Sequence, residues 1–247
     1  MAGIAIYHLN AVSLFPEKQD VYIAELNGKT KSGYRIAIAY SDSALKRTSL
    51  FGKEAKAIVA LNGSFFNVEK GGSVAYLESE GKVIARKRNP KEKWAKTDSL
   101  LNGAIVIDNL ENFRIEAAKP ESFYEQSSEE KAVLISGPSL LAKGQRVKLE
   151  KSEFTNKRHP RSCLCETADK SILFIAIDGR SEIASGMNLS EVQHFLIRLN
   201  CRDAINLDGG GSTTLYFRDS SREKILNNPS DKEGERPVAN IIFIREL

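Results

Sequence analysis

Asn206-Leu207-Asp208-Gly209-Gly210-Gly211-Ser212-Thr213-Thr214-Leu215-Tyr216 sets an acid at the lip of three consecutive glycines. Ile205 to Asp208 alternates apolar and polar residues, the period of a half-buried strand. Asn206 and Asp208 then share a face, because strand side chains alternate. Gly209, Gly210 and Gly211 let a ligand approach main-chain amides closely, and a strand resumes at Thr213 to Phe217. A carboxylate, a carboxamide, free amides and the hydroxyls of Ser212 and Thr213 thus gather at one turn. A hairpin needs one or two glycines, so three behind an aspartate exceed what a turn requires. A purely structural glycine turn remains the competing reading of this stretch alone.

Similar short apolar runs fill the rest of the chain: Val21 to Leu26, Tyr34 to Tyr40, Lys56 to Leu61, Ala104 to Ile107, Ala132 to Ile135, Ser171 to Ile177, Ala204 to Leu207 and Asn240 to Ile244. The clearest helix spans Leu189 to Asn200. Asn188 suits its N-cap and Glu191 the capping-box position, and Leu189, Val192, Phe195, Leu196 and Leu199 form one apolar stripe. A second helix is predicted over Ser43 to Glu54. Glu121 to Lys131 reads as a polar surface helix or loop. Asn67 to Lys96 and Arg218 to Arg236 read as long polar loops, the kind that form lids or rims. Many strands and few helices predict an α+β fold: a sheet-rich core of mostly short strands with a few packed helices, in a single domain over residues 1–247.

Composition removes several classes. Hydrophobic content of 41% beside 28% charged residues permits a sizeable core and a solvated surface. No apolar run reaches membrane-spanning length, so no membrane span is expected. The first residues lack a basic segment followed by a long apolar one, so no signal peptide is expected there, and localisation stays open. The net charge of +4 is mild and its cations are interspersed with acids, so nucleic acid is not an expected partner. Three cysteines, Cys163, Cys165 and Cys201, are an odd, low count; all three are expected as buried small apolar residues. Zinc-ligand spacings, a serine elbow, a Walker loop and a dinucleotide fingerprint are all missing. A hard divalent cation, calcium or magnesium, held by Asp178, Asp208 and backbone oxygens stays open.

Three other segments carry chemistry-bearing residues. Asn62-Gly63-Ser64-Phe65-Phe66 follows an apolar strand, and Phe65 or Phe66 offers a stacking face for a sugar if it lines a cleft. Arg158-His159-Pro160-Arg161 concentrates positive charge that suits an anion. Asp178-Gly179-Arg180 ends another apolar strand. Each also reads as an ordinary turn or solvated surface.

Their order is more specific than any one of them. Asn62 to Phe66 is followed by Ile135-Ser136-Gly137-Pro138-Ser139-Leu140-Leu141, then Arg158 to Arg161, Asp178 to Arg180, Ser185-Gly186-Met187-Asn188-Leu189-Ser190-Glu191, Asn206 to Thr214 and Glu235-Arg236-Pro237-Val238-Ala239-Asn240. The series resembles the phosphodiester glycosidase family from about Ala57 onward; residues 1–55 carry no matched motif. Two departures stand out: Ser64 replaces a second glycine, and Ser162-Cys163-Leu164-Cys165 replaces the usual Thr-Ala-Ile-Gly.

The resemblance implies a hydrolase that cleaves the glycosidic C–O bond of a sugar-1-phosphate diester, releasing the sugar and a phosphomonoester. It implies Asp208, Glu191 and Asp178 as catalytic candidates. Asn62, Gly63, Phe65, Phe66, Arg158, His159, Arg161, Arg180, Asn206, Gly209, Gly210, Gly211, Ser212, Thr213 and Arg236 become candidates for binding a sugar-phosphate or glycan from carbohydrate metabolism or a cell envelope. Two rivals remain: a metal-dependent phosphodiesterase, and a non-catalytic carbohydrate or polyanion binder on the same scaffold.

Overall fold

A computed structural model describes residues 3–10, 15–220 and 222–247. In chain order it contains β1 (Ile4–Leu9), β2 (Val21–Leu26), β3 (Tyr34–Tyr40), α1 (Thr48–Glu54), β4 (Val59–Asn62), β5 (Leu77–Ser79), β6 (Lys82–Ala85), β7 (Gly103–Asp108) and β8 (Phe113–Ala117). Then follow α2 (Glu121–Gln126), β9 (Glu130–Ser136), β10 (Ser139–Ala142), β11 (Gln145–Arg146), α3 (Glu153–Asn156), β12 (Arg161–Thr167) and β13 (Ile172–Ile177). The chain closes with α4 (Leu189–Arg198), β14 (Cys201–Asn206), β15 (Leu215–Arg218), β16 (Glu223–Ile225) and β17 (Asn240–Glu246).

The strands form three antiparallel sheets. Their orders are β1-β2-β13-β12-β14-β10-β11, β16-β15-β4-β17-β3 and β6-β5-β9-β7-β8. One apolar cluster draws on all three: Ala24, Phe174 and Ile205 from the first, Leu61, Leu215 and Ile242 from the second, Ile105 and Leu134 from the third. This is the α+β, sheet-rich architecture that the short apolar runs predict. Among the described residues no helix is long and apolar enough to cross a membrane.

α4 forms as its sequence dictates. The Asn188 side chain accepts from the Glu191 amide at 2.9 Å and the Glu191 carboxylate accepts from the Asn188 amide at 3.0 Å, a complete capping box. Its stripe of Leu189, Val192, Phe195 and Leu196 is buried against the first sheet. α1 is shorter than predicted and starts at Thr48. The polar stretches hold more structure than loops: residues 67–96 contain β5 and β6, residues 218–236 contain β16, and α2 leads directly into β9. β1, overlooked in the sequence, pairs along its whole length with β2 at the sheet edge.

The cysteines correct the sequence reading. Cys163 is buried and free, but Cys165 and Cys201 form a disulfide across β12 and β14, with Cα atoms 5.8 Å apart. A register shift between Glu166 and Thr167 sets Thr167, not Cys165, opposite Cys201. Cysteine spacing along the chain could not reveal that pairing, because strand register decides it. The bridge closes a loop with a sequence separation of 36. Cys201→Ser is therefore expected to cost about 3 kcal/mol. The variant should melt well below the wild type, and reductant should lower the wild-type melting temperature while leaving the variant unmoved.

Candidate functional site

Strand direction brings the sequence motifs to one place. β12 runs antiparallel to both β13 and β14, so its first residues meet their last: Arg161 pairs with Ile177, and Cys163 with Asn206. β4 ends at Asn62, and the segment from Leu207 to Thr214 passes from the first sheet to the second beside it. The Asp208 amide donates to the Gly63 carbonyl at 3.0 Å, and Asn62 Nδ2 donates to the Asp208 carbonyl at 2.6 Å. Asn206 Nδ2 donates to the carbonyls of Gly137 and Leu207. Asn62 and Asn206 are fully buried, so both serve the framework from beneath.

The glycines shape a short 3-10 turn, Gly210–Ser212. Gly210 has φ +63, and a Cβ there would lie 3.0 Å from Arg180 Nη2. Glycine adopts that backbone angle without strain and leaves room for the guanidinium. The Gly210 amide donates to the Pro160 carbonyl at 2.9 Å, so it is not free for an anion as the sequence suggested. A Cβ on Gly211 would collide with the side chains of Asp231 and Arg236. Ser212 Oγ donates to Asp208 Oδ2 at 2.7 Å. Thr213 Oγ1 is buried without a partner in the protein.

Asp208 is half-buried at this turn. Burial pushes its carboxyl above the ordinary carboxylate range, against the opposing pull of the Ser212 hydrogen bond and the charges of Lys96 and Arg236. Lys96 comes from the stretch before β7 and lies over the Phe65 ring, 5.1 Å from its centroid. Sequence reasoning missed it, since a lysine in a polar stretch carries no signal. Across the turn, Arg180 is exposed, has φ 62, and has no carboxylate within ion-pair distance among the described residues. Its Nη2 sits 3.4 Å from His159 Nδ1. Burial, reinforced by Arg161 and Arg180, lowers the His159 pKa, which favours a neutral imidazole.

Other candidates are committed elsewhere. Both Glu191 oxygens accept from Arg158, and Oε2 also closes the helix cap. Arg158 reaches Glu17 as well, at 3.4 Å. Arg161 is fully enclosed and donates to the carbonyls of Met187, Phe154 and Lys157, with Nη1 unpartnered; burial without a counter-charge lowers its pKa to about 10. It forms a wall with no exposed surface for a phosphate. Arg236 grips Asp231 through two bonds of 2.8 and 3.0 Å. Phe65 and Phe66 are 2% and 4% exposed and pack in separate core clusters, which leaves neither ring a face for a sugar.

Asp178 has a structural task. Oδ1 accepts from Asn227 Nδ2 at 2.9 Å, and Oδ2 from the Asn228 amide at 2.8 Å and its side chain at 3.3 Å. Asn227 also binds the Thr213 carbonyl and the Leu215 amide, so Asp178 fastens the 226–228 segment over the turn. Burial raises its pKa. A carboxylate ringed by N–H donors is a poor fit for a cation, and among the described residues no three His, Cys, Asp or Glu side chains gather as metal ligands.

Comparison with known proteins follows this geometry. The phosphodiester glycosidase family profile matches residues 55–245, and the chain belongs to that family. Mouse N-acetylglucosamine-1-phosphodiester alpha-N-acetylglucosaminidase is 25% identical over 202 residues, covering 76% of this chain and 37% of the mouse protein. The chain thus spans little more than a third of the length of that relative. The zebrafish enzyme's catalytic domain, solved as auto-inhibited by its pro-peptide, shares the fold with a TM-score of 0.70 at 22% identity, over 99% of this chain and 82% of that one. A hypothetical protein from Synechocystis aligns with a TM-score of 0.68 at 14% identity, over 99% of this chain and 62% of that one.

Two outcomes follow. Glu191→Ala should lower stability by about 1–2 kcal/mol through loss of the cap and the Arg158 pair, with turnover near wild type; a large loss of turnover in a folded variant would assign it a chemical role. Asp208→Asn should behave oppositely. With the folded pKa raised, the native state keeps its proton to higher pH than the unfolded chain, so the cost of ionising the group is absent below about pH 4 and complete above the folded pKa. Asp208→Asn should therefore melt higher than wild type at pH 7, with the gap closing toward pH 4. A gap independent of pH would show that ionisation is not its source.

Proposed function

We propose that this protein hydrolyses the glycosidic bond of a sugar-1-phosphate diester. Family membership supports a hydrolase of this type, and the named activity of the mouse and zebrafish relatives suggests an N-acetylglucosamine-1-phosphodiester. The observation that carries the reading is the presence of two groups of opposite charge at the glycine turn. Arg180, an arginine with no carboxylate in ion-pair distance, lies beside Gly210, and Asp208, a half-buried carboxyl of raised pKa, directly precedes the glycines.

The chemistry follows from those two groups. A phosphate monoester is a weakly basic leaving group, so cleavage at the sugar carbon needs little proton donation to the departing oxygen. It needs a hold on the anion and support for an oxocarbenium-like transition state. Arg180 holds the phosphoryl oxygens, and the neutral His159 ring beside it adds a polar contact. Asp208, oriented by Ser212, takes the proton of the attacking water as the water oxygen bonds to the anomeric carbon and the C–O electron pair leaves with the phosphate. Lys96 offsets the negative charge at Asp208.

Hydrolysis of an alkyl N-acetylglucosamine-1-phosphate in labelled water tests the bond that breaks. Label in the sugar is expected; label in the phosphate would assign the protein to the phosphodiesterases instead. Rates with and without chelator should agree, because the donors around Asp178 do not suit a cation. Asp208→Asn should lower kcat by about a hundredfold or more, and Arg180→Gln should reduce kcat/KM by about tenfold or more. Full activity in Asp208→Asn would remove it from the reaction.

A further inference from the structure

The end of the second sheet remote from the glycine turn carries a row of cations. β15, β4, β17 and β3 are neighbours in that order. Arg218 ends β15, Arg245 lies one residue from the end of β17, and Arg35 is the second residue of β3. By alternation Arg218 shares a face with Tyr216, Arg245 with Phe243, and Arg35 with Ala37. Those three pack in the cluster beneath α1. The arginines therefore extend the α1-covered face beyond the end of that helix, where Lys56 adds a fourth cation. With Glu246 and Leu247, the four line a surface cavity of about 560 Å³.

Several features of this row call for an anion. Arg245 and Arg35 stand directly opposite each other across two strands, where like charges repel. The Arg218 side chain donates to the carbonyls of Ala57 and Lys56, which fixes its position, and it stands opposite Glu223 in the strand register without an ion-pair contact. Among the described residues no carboxylate lies within ion-pair distance of Arg218, Arg245 or Lys56. Arg35 has only Glu111, at 3.8 Å, and that acid is held by Lys131 at 2.6 Å. Arg35 Nε is buried with no acceptor. Four cations thus meet a single acidic side chain of the lining, Glu246, beside the terminal residue Leu247.

Strand spacing sets the size of the ligand. Arg35 and Arg245 are one strand apart, and Arg245 and Arg218 two, so the row extends about 14 Å. One phosphate can bridge a neighbouring pair, but the whole row suits a chain of them. We propose that this cavity binds a linear ligand with repeated phosphate groups, either a polyphosphate or a polymeric phosphodiester. The site is separate from the glycine turn and does not depend on the reaction assigned there.

The test is calorimetric titration of the whole chain with inorganic tripolyphosphate at physiological salt, with orthophosphate and a three-unit glycerol-phosphate oligomer as the other arms. Tripolyphosphate should bind at least tenfold more tightly than orthophosphate. Binding by the oligomer as well would identify a phosphodiester polymer as the source, and its failure would identify a polyphosphate. Lys56→Gln/Arg245→Gln changes two exposed side chains that make no hydrogen bond in the fold. It should weaken tripolyphosphate at least tenfold and leave hydrolysis of a small diester unchanged. Without ligand it should melt no lower than wild type, because the Arg35–Arg245 repulsion is gone. Asp208→Asn should bind tripolyphosphate as wild type does. The proposal is overturned if the double variant binds as tightly as wild type, if orthophosphate binds as well as tripolyphosphate, or if Arg180→Gln abolishes binding that the double variant retains.

Discussion

The side chain of Asn62 joins the parts on which the candidate site depends. It is fully buried at the end of β4. Its Nδ2 donates to the Asp208 carbonyl, and its Oδ1 accepts from Ser162 Oγ at 2.6 Å and from the Thr214 amide at 3.2 Å. One carboxamide thus ties the second sheet to β12 of the first and to both ends of the glycine segment. A buried polar group left without such partners costs about 1–3 kcal/mol, so this junction has a strongly preferred geometry. Asn240 makes the matching contact from β17. Its Oδ1 accepts the Ser64 amide at 2.7 Å, in a space where a Cβ on Gly63 would lie 2.1 Å from that oxygen.

From that junction the charges divide into those spent on the framework and those left free. Glu191 and Arg158 satisfy each other, as do Arg236 and Asp231, while Asp178 binds Asn227 and Asn228. These pairs hold loops in place. Arg180 and Asp208 remain, with His159 and Lys96 close by. Arg180 is exposed and its charge stays solvated, whereas burial holds the Asp208 carboxyl above the ordinary carboxylate range. The same division separates the remote arginine row from the paired ions on the rest of the surface.

Much of the fold was legible in the residues. β2, β3 and β13 match their apolar runs almost residue for residue, because buried strands need continuous or alternating apolar positions. α4 was legible down to its cap, since Asn188 and Glu191 form a local device that needs no other element. The helix stripe and the ordered motifs required only neighbours in sequence. β1 and the short strands β6 and β16 were harder to see, because each is half-exposed, and β5 because it is only three residues long; all are stabilised by a partner strand more than by their own pattern.

By itself, the sequence determined the secondary elements, the family and the set of polar residues that could matter, since these depend on local pattern and on motif order. Only the tertiary structure decided which of those residues remain available. Glu191 and Asp178 are acids of the same kind as Asp208, yet their oxygens are filled by Arg158, Asn227 and Asn228, partners 33, 49 and 50 residues away. Cys201, not Cys163, bonds Cys165 because the pairing of β12 with β14, shifted after Glu166, brings their Cα atoms to 5.8 Å. Hydrogen-bond saturation and ion pairing are set by what lies across a strand or under a loop, and no local spacing along the chain encodes that.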